Sequence, residues 1–175
     1  MNKEEKTLKE NLIFDGRIVR LYKDDVLTPN NIKTTREYLK HNGGVCILAF
    51  VDGKIPFVKQ YRYAYREEMF ELPAGKLEKG EQPLEAAIRE YEEETGYKPI
   101  NITELGSMYP SCGYSNEVIH LYFASEIVKG TMHLDEDENL DLYYFSLEEV
   151  EDMIKKGQIK DAKTICLIYH YLRTK

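Results

Sequence analysis

The stretch Gly75–Gly96 constrains this chain of 175 residues more than any other part of its sequence. Between Pro83 and Thr95, apolar residues recur at helical spacing, and we expect this stripe to face the core: Leu84, Ala87, Ile88 and Tyr91. Proline suits the first turn of a helix, and glycine suits the residue that ends one. The segment therefore predicts one amphipathic helix that begins at Pro83 and ends before Gly96.

Three carboxylates lie close together on this predicted helix. Glu90, Glu93 and Glu94 stand at i, i+3 and i+4, so their side chains leave one helical face, away from the apolar stripe. Like charges this close repel one another, and hard divalent ions such as Mg²⁺ prefer oxygen ligands of this kind. A solvated acidic face, with Arg89 paired to Glu93, is the alternative interpretation.

The wider segment GKLEKGEQPLEAAIREYEEETGY, residues 75–97, resembles the Nudix box, Gx5Ex7REUxEExGU, at Gly75, Glu81, Arg89, Glu90, Glu93, Glu94 and Gly96. Tyr91 and Tyr97 stand where small aliphatic residues are usual. The resemblance implies an enzyme that cleaves a pyrophosphate bond with Mg²⁺, or Mn²⁺, as cofactor. It also implies that the ion is held by the Ala74 carbonyl, Glu90 and Glu94, with Glu93 as a further or supporting ligand and Arg89 as the residue that orients the carboxylates.

The flanking segments QYRYAYREEMFELPAGKLEKGE and TTREYLKHNGGVCILAF resemble the ADP-ribose pyrophosphatase branch of that family. This resemblance implies hydrolysis of ADP-ribose to AMP and ribose 5-phosphate. Arg62 matches a contact to the substrate phosphate or ribose. Arg36 and Glu37 match residues that contact the adenosine side in dimers of this branch, although an exposed ion pair is the alternative for both.

Two segments beyond the box also bear on the substrate. YPSCGYSNEVIHLYFA resembles the SPGxSxE segment of the family, except that Cys112 replaces the proline, and Glu117 matches a metal or substrate ligand. The departure leaves another nucleoside diphosphate sugar, such as GDP-mannose, as an alternative substrate. The acidic loop LDEDENLD matches the loop that supplies the general base, with Glu138 as the first candidate and Glu136 as the second.

The remaining pattern predicts the architecture. Residues 12–28 favour a hairpin, residues 45–51 and the segment after Asp52-Gly53 a second hairpin, and residues 117–124 and 141–145 two further strands. A capping box at Ser146 and the apolar run ICLIYHYL predict two more helices. With the resemblance, we expect an α/β fold: an α/β/α sandwich with a mixed sheet (residues 43–175) and a small N-terminal β-strand extension (1–42) that forms a homodimer.

Composition limits the partners. The net charge of −7 and the pI near 5.2 argue against binding to nucleic acid. The three separated cysteines and the absence of an apolar run that could be a signal peptide or span a membrane favour the cytoplasm and no membrane partner. A catalytically silent nucleotide sensor is a further alternative, but such a regulator would be expected to have lost carboxylates of the box, and none is lost.

Overall fold

The computed structural model describes residues 3–134 and 138–174. They fall into two compact units, one made of Met1–Gly43 with Tyr109–Glu117, and one made of Gly44–Met108 with Val118–Lys175. We call them unit 1 and unit 2. No helix among the described residues is both long and apolar enough to cross a membrane.

Unit 1 is an antiparallel sheet built around one central strand. It contains β1 (Lys6–Lys9), β2 (Leu12–Asp15), β3 (Arg20–Leu27) and β4 (Lys33–Lys40). Strands β1 and β2 pair with β3, and β4 pairs with β3 over its full length. The hairpin predicted within residues 12–28 is confirmed as β2 and β3. The segment Tyr109–Glu117 joins this unit because the Leu39 N–H donates to the Tyr114 carbonyl at 2.7 Å.

Unit 2 contains two sheets and three helices. Its strands are β5 (Gly44–Ala49), β6 (Ile55–Arg62), β7 (Glu67–Glu71), β8 (Ala74–Lys76), β9 (Tyr97–Met108), β10 (Ile119–Lys129) and β11 (Leu140–Phe145), and its helices are α1 (Pro83–Thr95), α2 (Leu147–Lys155) and α3 (Ala162–Leu172). One sheet has the order β8-β5-β10-β9 and the other β11-β6-β7. Because β5 and β10 are parallel and the other pairs antiparallel, the first sheet is mixed, as expected.

The sequence-based prediction of a hairpin from β5 and β6 is wrong. The turn at Asp52-Gly53 is present, and the Val51 N–H donates to the Lys54 carbonyl at 2.8 Å. The two strands then diverge, since β5 pairs with β8 and β10 while β6 pairs with β7 and β11. Strand β9, of twelve residues, was not predicted.

The central strand β5 shows why its sequence is apolar throughout. Val45, Ile47 and Ala49 belong to the cluster that includes Ala86, Ala87 and Tyr91 of α1, whereas Cys46 and Leu48 belong to the cluster that includes Leu167 and Ile168 of α3. Successive side chains of a strand point to opposite faces, so both faces of β5 are covered by a helix. The predicted sandwich is therefore confirmed, with α1 and α3 on opposite sides of the mixed sheet.

Helix α1 buries Ala87 and Tyr91 of the predicted stripe, but the stripe is wrong at Leu84 and omits other buried residues. Leu84 is 44% exposed, while Ala86 is fully buried. Glu94 is only 3% exposed and lies on the buried side with Tyr91, one turn before it. The carboxylates are thus not all on a face separate from the core, and Glu94 lies in it. Gly96 ends the helix at a φ of 74°, as predicted.

Candidate active site

The candidate site forms where β8 meets α1. The Ala74 N–H donates to Glu94 Oε2 at 3.1 Å, which joins the strand to the last turn of the helix. A Cβ added to Gly75 would collide with the carboxyl group of Glu90. Only glycine therefore allows Glu90 to lie directly against the backbone of β8. The strand residues Ala74 and Gly75 thus lie next to the carboxylates of Glu94 and Glu90.

Arg89 connects the other acidic residues of the box. Its guanidinium donates to Glu81 at 2.9 and 3.1 Å and to Glu93 at 2.9 Å, and its Nη1 lies 3.0 Å from Glu90 Oε1. These contacts raise the pKa of Arg89 further above its usual value, chiefly through the hydrogen bond to Glu81. Arg89 thus contacts three carboxylates, and its pair with Glu93 also forms the i, i+4 contact of the alternative interpretation.

The two innermost carboxylates carry raised pKa values. Burial raises the pKa of Glu90 to about 7 against the opposing effect of Arg89, and the charges of Glu93 and Glu138 add to the rise. Burial also raises the pKa of Glu94 well above its usual range, and Glu90 and Glu138 contribute, although the hydrogen bond from Ala74 opposes them. An added cation would favour the ionised form of both groups.

This donor set suits a divalent ion. It combines carboxylates whose pKa values are raised by burial, a deficit of positive charge, and a strand backbone at Gly75 that Glu90 approaches closely. Within residues 3–134 and 138–174, however, no three His, Cys, Asp or Glu side chains are already arranged around a common metal position. Here Arg89 contacts Glu90 and Glu93, and the Ala74 N–H contacts Glu94.

The first candidate for the general base lies within electrostatic reach of this cluster. The charge of Glu138 contributes to the raised pKa of both Glu90 and Glu94. The second candidate, Glu136, lies outside the described residues. The chain that leads toward this loop is attached to the end of α1, because the Gly130 N–H donates to the Gly96 carbonyl at 2.9 Å and the His133 N–H to the Glu93 carbonyl at 3.1 Å.

Arg62 lies at the end of β6 and forms the partly exposed edge of an ion network whose centre is buried. Its Nε and Nη2 both donate to the carboxylate of Glu71, which is 2% exposed. Lys163 at the start of α3 donates to the same carboxylate and also lies 3.0 Å from Asp161 Oδ2. Burial alone would raise the pKa of Glu71, but the hydrogen bonds and charges of Arg62 and Lys163 outweigh burial and lower it.

The remaining predicted residues lie in unit 1. Arg36 pairs with Glu5, and Glu37 pairs with Lys23 at 2.8 Å, both on the exposed surface. Exposed pairs of this kind stabilise a protein by at most about 1 kcal/mol, so a ligand can replace them. Glu117 Oε1 lies 3.4 Å from Nδ1 of His41, and its N–H donates to Ser115 Oγ at 3.1 Å.

Cys112, which replaces the usual proline, lies exposed in the turn of Tyr109–Glu117. The carbonyl of Ser111 accepts hydrogen bonds from the N–H groups of Tyr114 and Ser115, at 3.2 and 3.0 Å. Backbone hydrogen bonds therefore close this turn around Cys112 without the fixed backbone angle that a proline supplies.

Sequence reasoning missed Glu71, Lys163 and Asp161. A signal for Glu71 was present, since it is a single acidic residue between apolar ones in FELP. A charge inside a buried strand requires a partner, but its partner Lys163 lies 92 residues further along the chain. Asp161 had a local signal as the N-cap of α3, where it accepts from the Thr164 N–H at 3.0 Å.

The chain is similar to several known proteins. The NUDIX domain matches residues 40–168. The chain is 41% identical over 175 residues to the ADP-ribose pyrophosphatase of Bacillus subtilis. The aligned region covers 98% of this chain and 94% of that protein. It is 32% identical to the ADP-ribose pyrophosphatase of Mycobacterium tuberculosis, over 91% of this chain and 79% of that protein.

Two further proteins are similar to this chain. A protein of Bacillus methanolicus named methanol dehydrogenase activator is 44% identical over 95% of this chain and 92% of its own length. A solved structure described as an ADP compounds hydrolase superposes with a TM-score of 0.87 and 19% identity, over 98% of this chain and 94% of that one. The structural match supports the fold alone.

Proposed function

The chain belongs to the NUDIX family, and from this premise we propose that it hydrolyses ADP-ribose to AMP and ribose 5-phosphate with Mg²⁺ as cofactor. The observation that carries the proposal is the packing of Glu90 and Glu94 against Ala74 and Gly75. There, the buried carboxylate of Glu94 and the partly buried one of Glu90 lie together without enough positive charge to match them. A phosphate substrate that arrives with a divalent ion would complete this charge balance.

The metal ligands in this proposal come from two elements. The carbonyl of Ala74 on β8 and the carboxylates of Glu90, Glu93 and Glu94 on α1 would hold the ion, and Mn²⁺ is an alternative to Mg²⁺. When bound, the ion supplies positive charge to the pyrophosphate oxygens and polarises water. Arg89 keeps Glu90 and Glu93 in position through its short contacts to both.

Two further residues act on the reacting groups. Glu138 accepts the proton of the attacking water. This role needs a carboxylate that lies near the metal ligands without being one, and the charge of Glu138 acts on the pKa values of both Glu90 and Glu94. Arg62 donates to a phosphate oxygen and stabilises the charge that develops there. Its pair with Glu71 uses Nε and Nη2 and does not involve Nη1.

Unit 1 supplies substrate recognition and assembly in this proposal. Arg36, Glu37 and Glu117 contact the substrate, the first two on its adenosine side. The chain forms a homodimer through its N-terminal strands. This part of the proposal is supported by large apolar side chains that are at least half exposed: Leu12, Ile13, Phe14 and Ile18. We place the enzyme in the cytoplasm, in keeping with three unpaired cysteines.

The decisive experiment supplies ADP-ribose to the purified protein and separates the products by chromatography. We expect AMP and ribose 5-phosphate in equal amounts with Mg²⁺, and no reaction after the ion is removed by a chelator. GDP-mannose is the second substrate to test, because GDP-mannose pyrophosphatases of Escherichia coli are 30% identical over 82% of this chain. A kcat/KM that is higher for GDP-mannose than for ADP-ribose would make GDP-mannose the preferred substrate and contradict the proposal.

A regulatory function is a second candidate, favoured by the similarity to the methanol dehydrogenase activator. A methanol dehydrogenase assayed with and without this protein tests that candidate directly. Calorimetric binding of ADP-ribose without Mg²⁺-dependent turnover would instead support a nucleotide sensor and refute the proposed hydrolase.

A further inference from the structure

We propose that Lys163 is a positioning residue that acts through Glu71 to hold both Arg62 and the Glu71–Gly75 segment in the geometry needed for hydrolysis. The inference rests on the proposed function for its substrate and cofactor. It assigns a role in the reaction to the first turn of α3, which contributes none of the residues proposed above.

The contacts of Glu71 place it between two cations from different elements. Arg62 of β6 donates twice to its carboxylate, and Lys163 of α3 donates to Oε2. Lys163 also lies 3.0 Å from Asp161, so two cations and two carboxylates form one balanced group. The side chain of Lys163 is 12% exposed, which makes its charge costly to bury unless these partners remain in place.

The backbone that follows Glu71 is held residue by residue. The Leu72 N–H donates to Thr164 Oγ1 of α3 at 2.8 Å, and the Pro73 carbonyl accepts from the Ile47 N–H at 3.0 Å. The Ala74 N–H then donates to Glu94 at 3.1 Å. Consecutive residues are therefore attached to α3, to β5 and to α1, which leaves little freedom for the carbonyl of Ala74.

The hydroxyl of Thr164 is itself oriented by the same network. It donates to Asp161 Oδ2 at 2.6 Å, so its oxygen remains available as the acceptor for Leu72. Lys163 lies 3.0 Å from that same Asp161 oxygen. Loss of the Lys163 ammonium would therefore disturb two connections at once: the hold on Arg62 through Glu71, and the hold on Leu72 through Asp161 and Thr164.

The test compares Lys163→Met with a matched surface variant, Lys160→Met. Lys160 lies three residues earlier and pairs with Glu67 at 3.1 Å, but its side chain and that of Glu67 are exposed. Both substitutions remove one ammonium. Lys163→Met removes its ion pairs with Glu71 and Asp161, whereas Lys160→Met removes an exposed pair outside the Glu71 network. Lys163→Arg restores the charge. Each protein is assayed for kcat and KM with ADP-ribose and for calorimetric binding of Mn²⁺ without substrate.

We expect Lys163→Met to lower kcat/KM by about 10- to 100-fold and to weaken Mn²⁺ binding by about 10-fold, the effects usual for residues that orient metal ligands. KM should rise as well, because Arg62 loses its fixed position. Lys163→Arg should recover part of each loss, and Lys160→Met should stay within about 2-fold of the wild type, as expected for an exposed pair.

A lower melting temperature of Lys163→Met with unchanged kcat, KM and Mn²⁺ affinity would show a purely structural role and overturn the inference. If Lys163→Met does not fold, Glu71→Gln replaces it, and wild-type kinetics and Mn²⁺ affinity in that variant overturn the inference equally. A wild-type protein that does not hydrolyse ADP-ribose refutes the proposed function, whereas the Mn²⁺ measurement still decides whether Lys163 positions the metal ligands.

Discussion

Glu71 and Glu94 are both buried carboxylates of unit 2, exposed by 2% and 3%, yet their pKa values move in opposite directions. Burial raises the pKa of each. Around Glu71, Arg62 and Lys163 reverse that effect. Around Glu94, the charges of Glu90 and Glu138 reinforce it, and the hydrogen bond from Ala74 is too weak to reverse it.

The difference separates two uses of a buried charge. The Glu71 network contains its own counter-ions and is complete in the folded chain. The Glu90 and Glu94 pair is not balanced by Arg89 alone, and the fold keeps it in this state at a cost in stability. Such a cost is expected at a site that obtains its counter-ion from a ligand. The substitutions below test whether loss of a Glu71 contact lowers stability, as expected for a balanced network, whereas loss of the Glu94 charge does not.

The largest effect is expected from Glu94→Gln. The substitution keeps the volume but removes a proposed metal ligand, so kcat should fall on the order of 10³-fold, the upper range for loss of one electrostatic stabilising group. Its melting temperature without metal should match or exceed that of the wild type, because an unfavourable buried charge is gone. Steady-state kinetics and thermal unfolding measure both, and near-wild-type turnover would remove Glu94 from the site.

Glu71→Leu should differ from Glu94→Gln in its effect on stability. It leaves the buried Lys163 with one carboxylate fewer, and we expect the free energy of unfolding to fall by about 3 kcal/mol, the low end for a broken buried pair because Arg62 is partly exposed. Urea unfolding measures the loss, and Glu67→Leu, which breaks the exposed pair with Lys160, is the control. Equal stability of the two variants would contradict a structural role for the network.

Glu138→Gln should reduce activity without changing metal affinity. A general base contributes about 10² to 10⁴ to the rate, and we expect a loss near 100-fold since Glu94 and the other ligands remain. Mn²⁺ titration of the variant without substrate should give the wild-type affinity. If the rate is unchanged, the role of the base moves to Glu136 or to another residue.

The pH dependence of stability should reveal the lowered pKa of Glu71. Its folded-state pKa lies below 4.5, so the stabilisation by its ion pairs is complete above that pH and is lost as the pH falls through the folded-state value. The difference in unfolding free energy between wild type and Glu71→Gln should therefore be constant near neutral pH and shrink below 4.5. A difference in unfolding free energy that grows as the pH falls would mean that the pKa of Glu71 is raised, not lowered, in the folded protein.

The smallest effect is expected at Tyr91, whose buried hydroxyl has no hydrogen-bond partner among the described residues. Tyr91→Phe removes this unsatisfied group and keeps the ring, so the free energy of unfolding should rise by about 1 kcal/mol. The measurement is urea unfolding at neutral pH. A loss of stability would indicate that the hydroxyl has a partner, such as a buried water.

The sequence predicted the helix of the candidate site well because its signals are local. The spacing of Glu90, Glu93 and Glu94, the proline at Pro83 and the glycine at Gly96 all lie within one segment, and the resemblance to the Nudix box covers the same residues. The burial of Glu94 does not follow from the predicted stripe of Leu84, Ala87, Ile88 and Tyr91, because that stripe omits the small and fully buried Ala86.

Other parts of the fold depend on contacts that the sequence does not reveal locally. A tight turn at Asp52-Gly53 is typical of a hairpin, and nothing in the two strands indicates that β10 takes the place of β6 beside β5. The Glu71 network joins residues 92 positions apart. Charge pairing over such a separation is decided by the packing of α3, which no local sequence pattern indicates.

The attachment of residues 130–133 to the end of α1 has a consequence for how accurately the reaction can be set up. Small errors in relative position accumulate along the chain of contacts that separates two groups. Here the His133 N–H contacts the carbonyl of Glu93, and Glu138 follows only five residues later. The three proposed carboxylate ligands and the stretch that leads toward the proposed base therefore share α1 as their reference, whereas the Ala74 carbonyl belongs to β8.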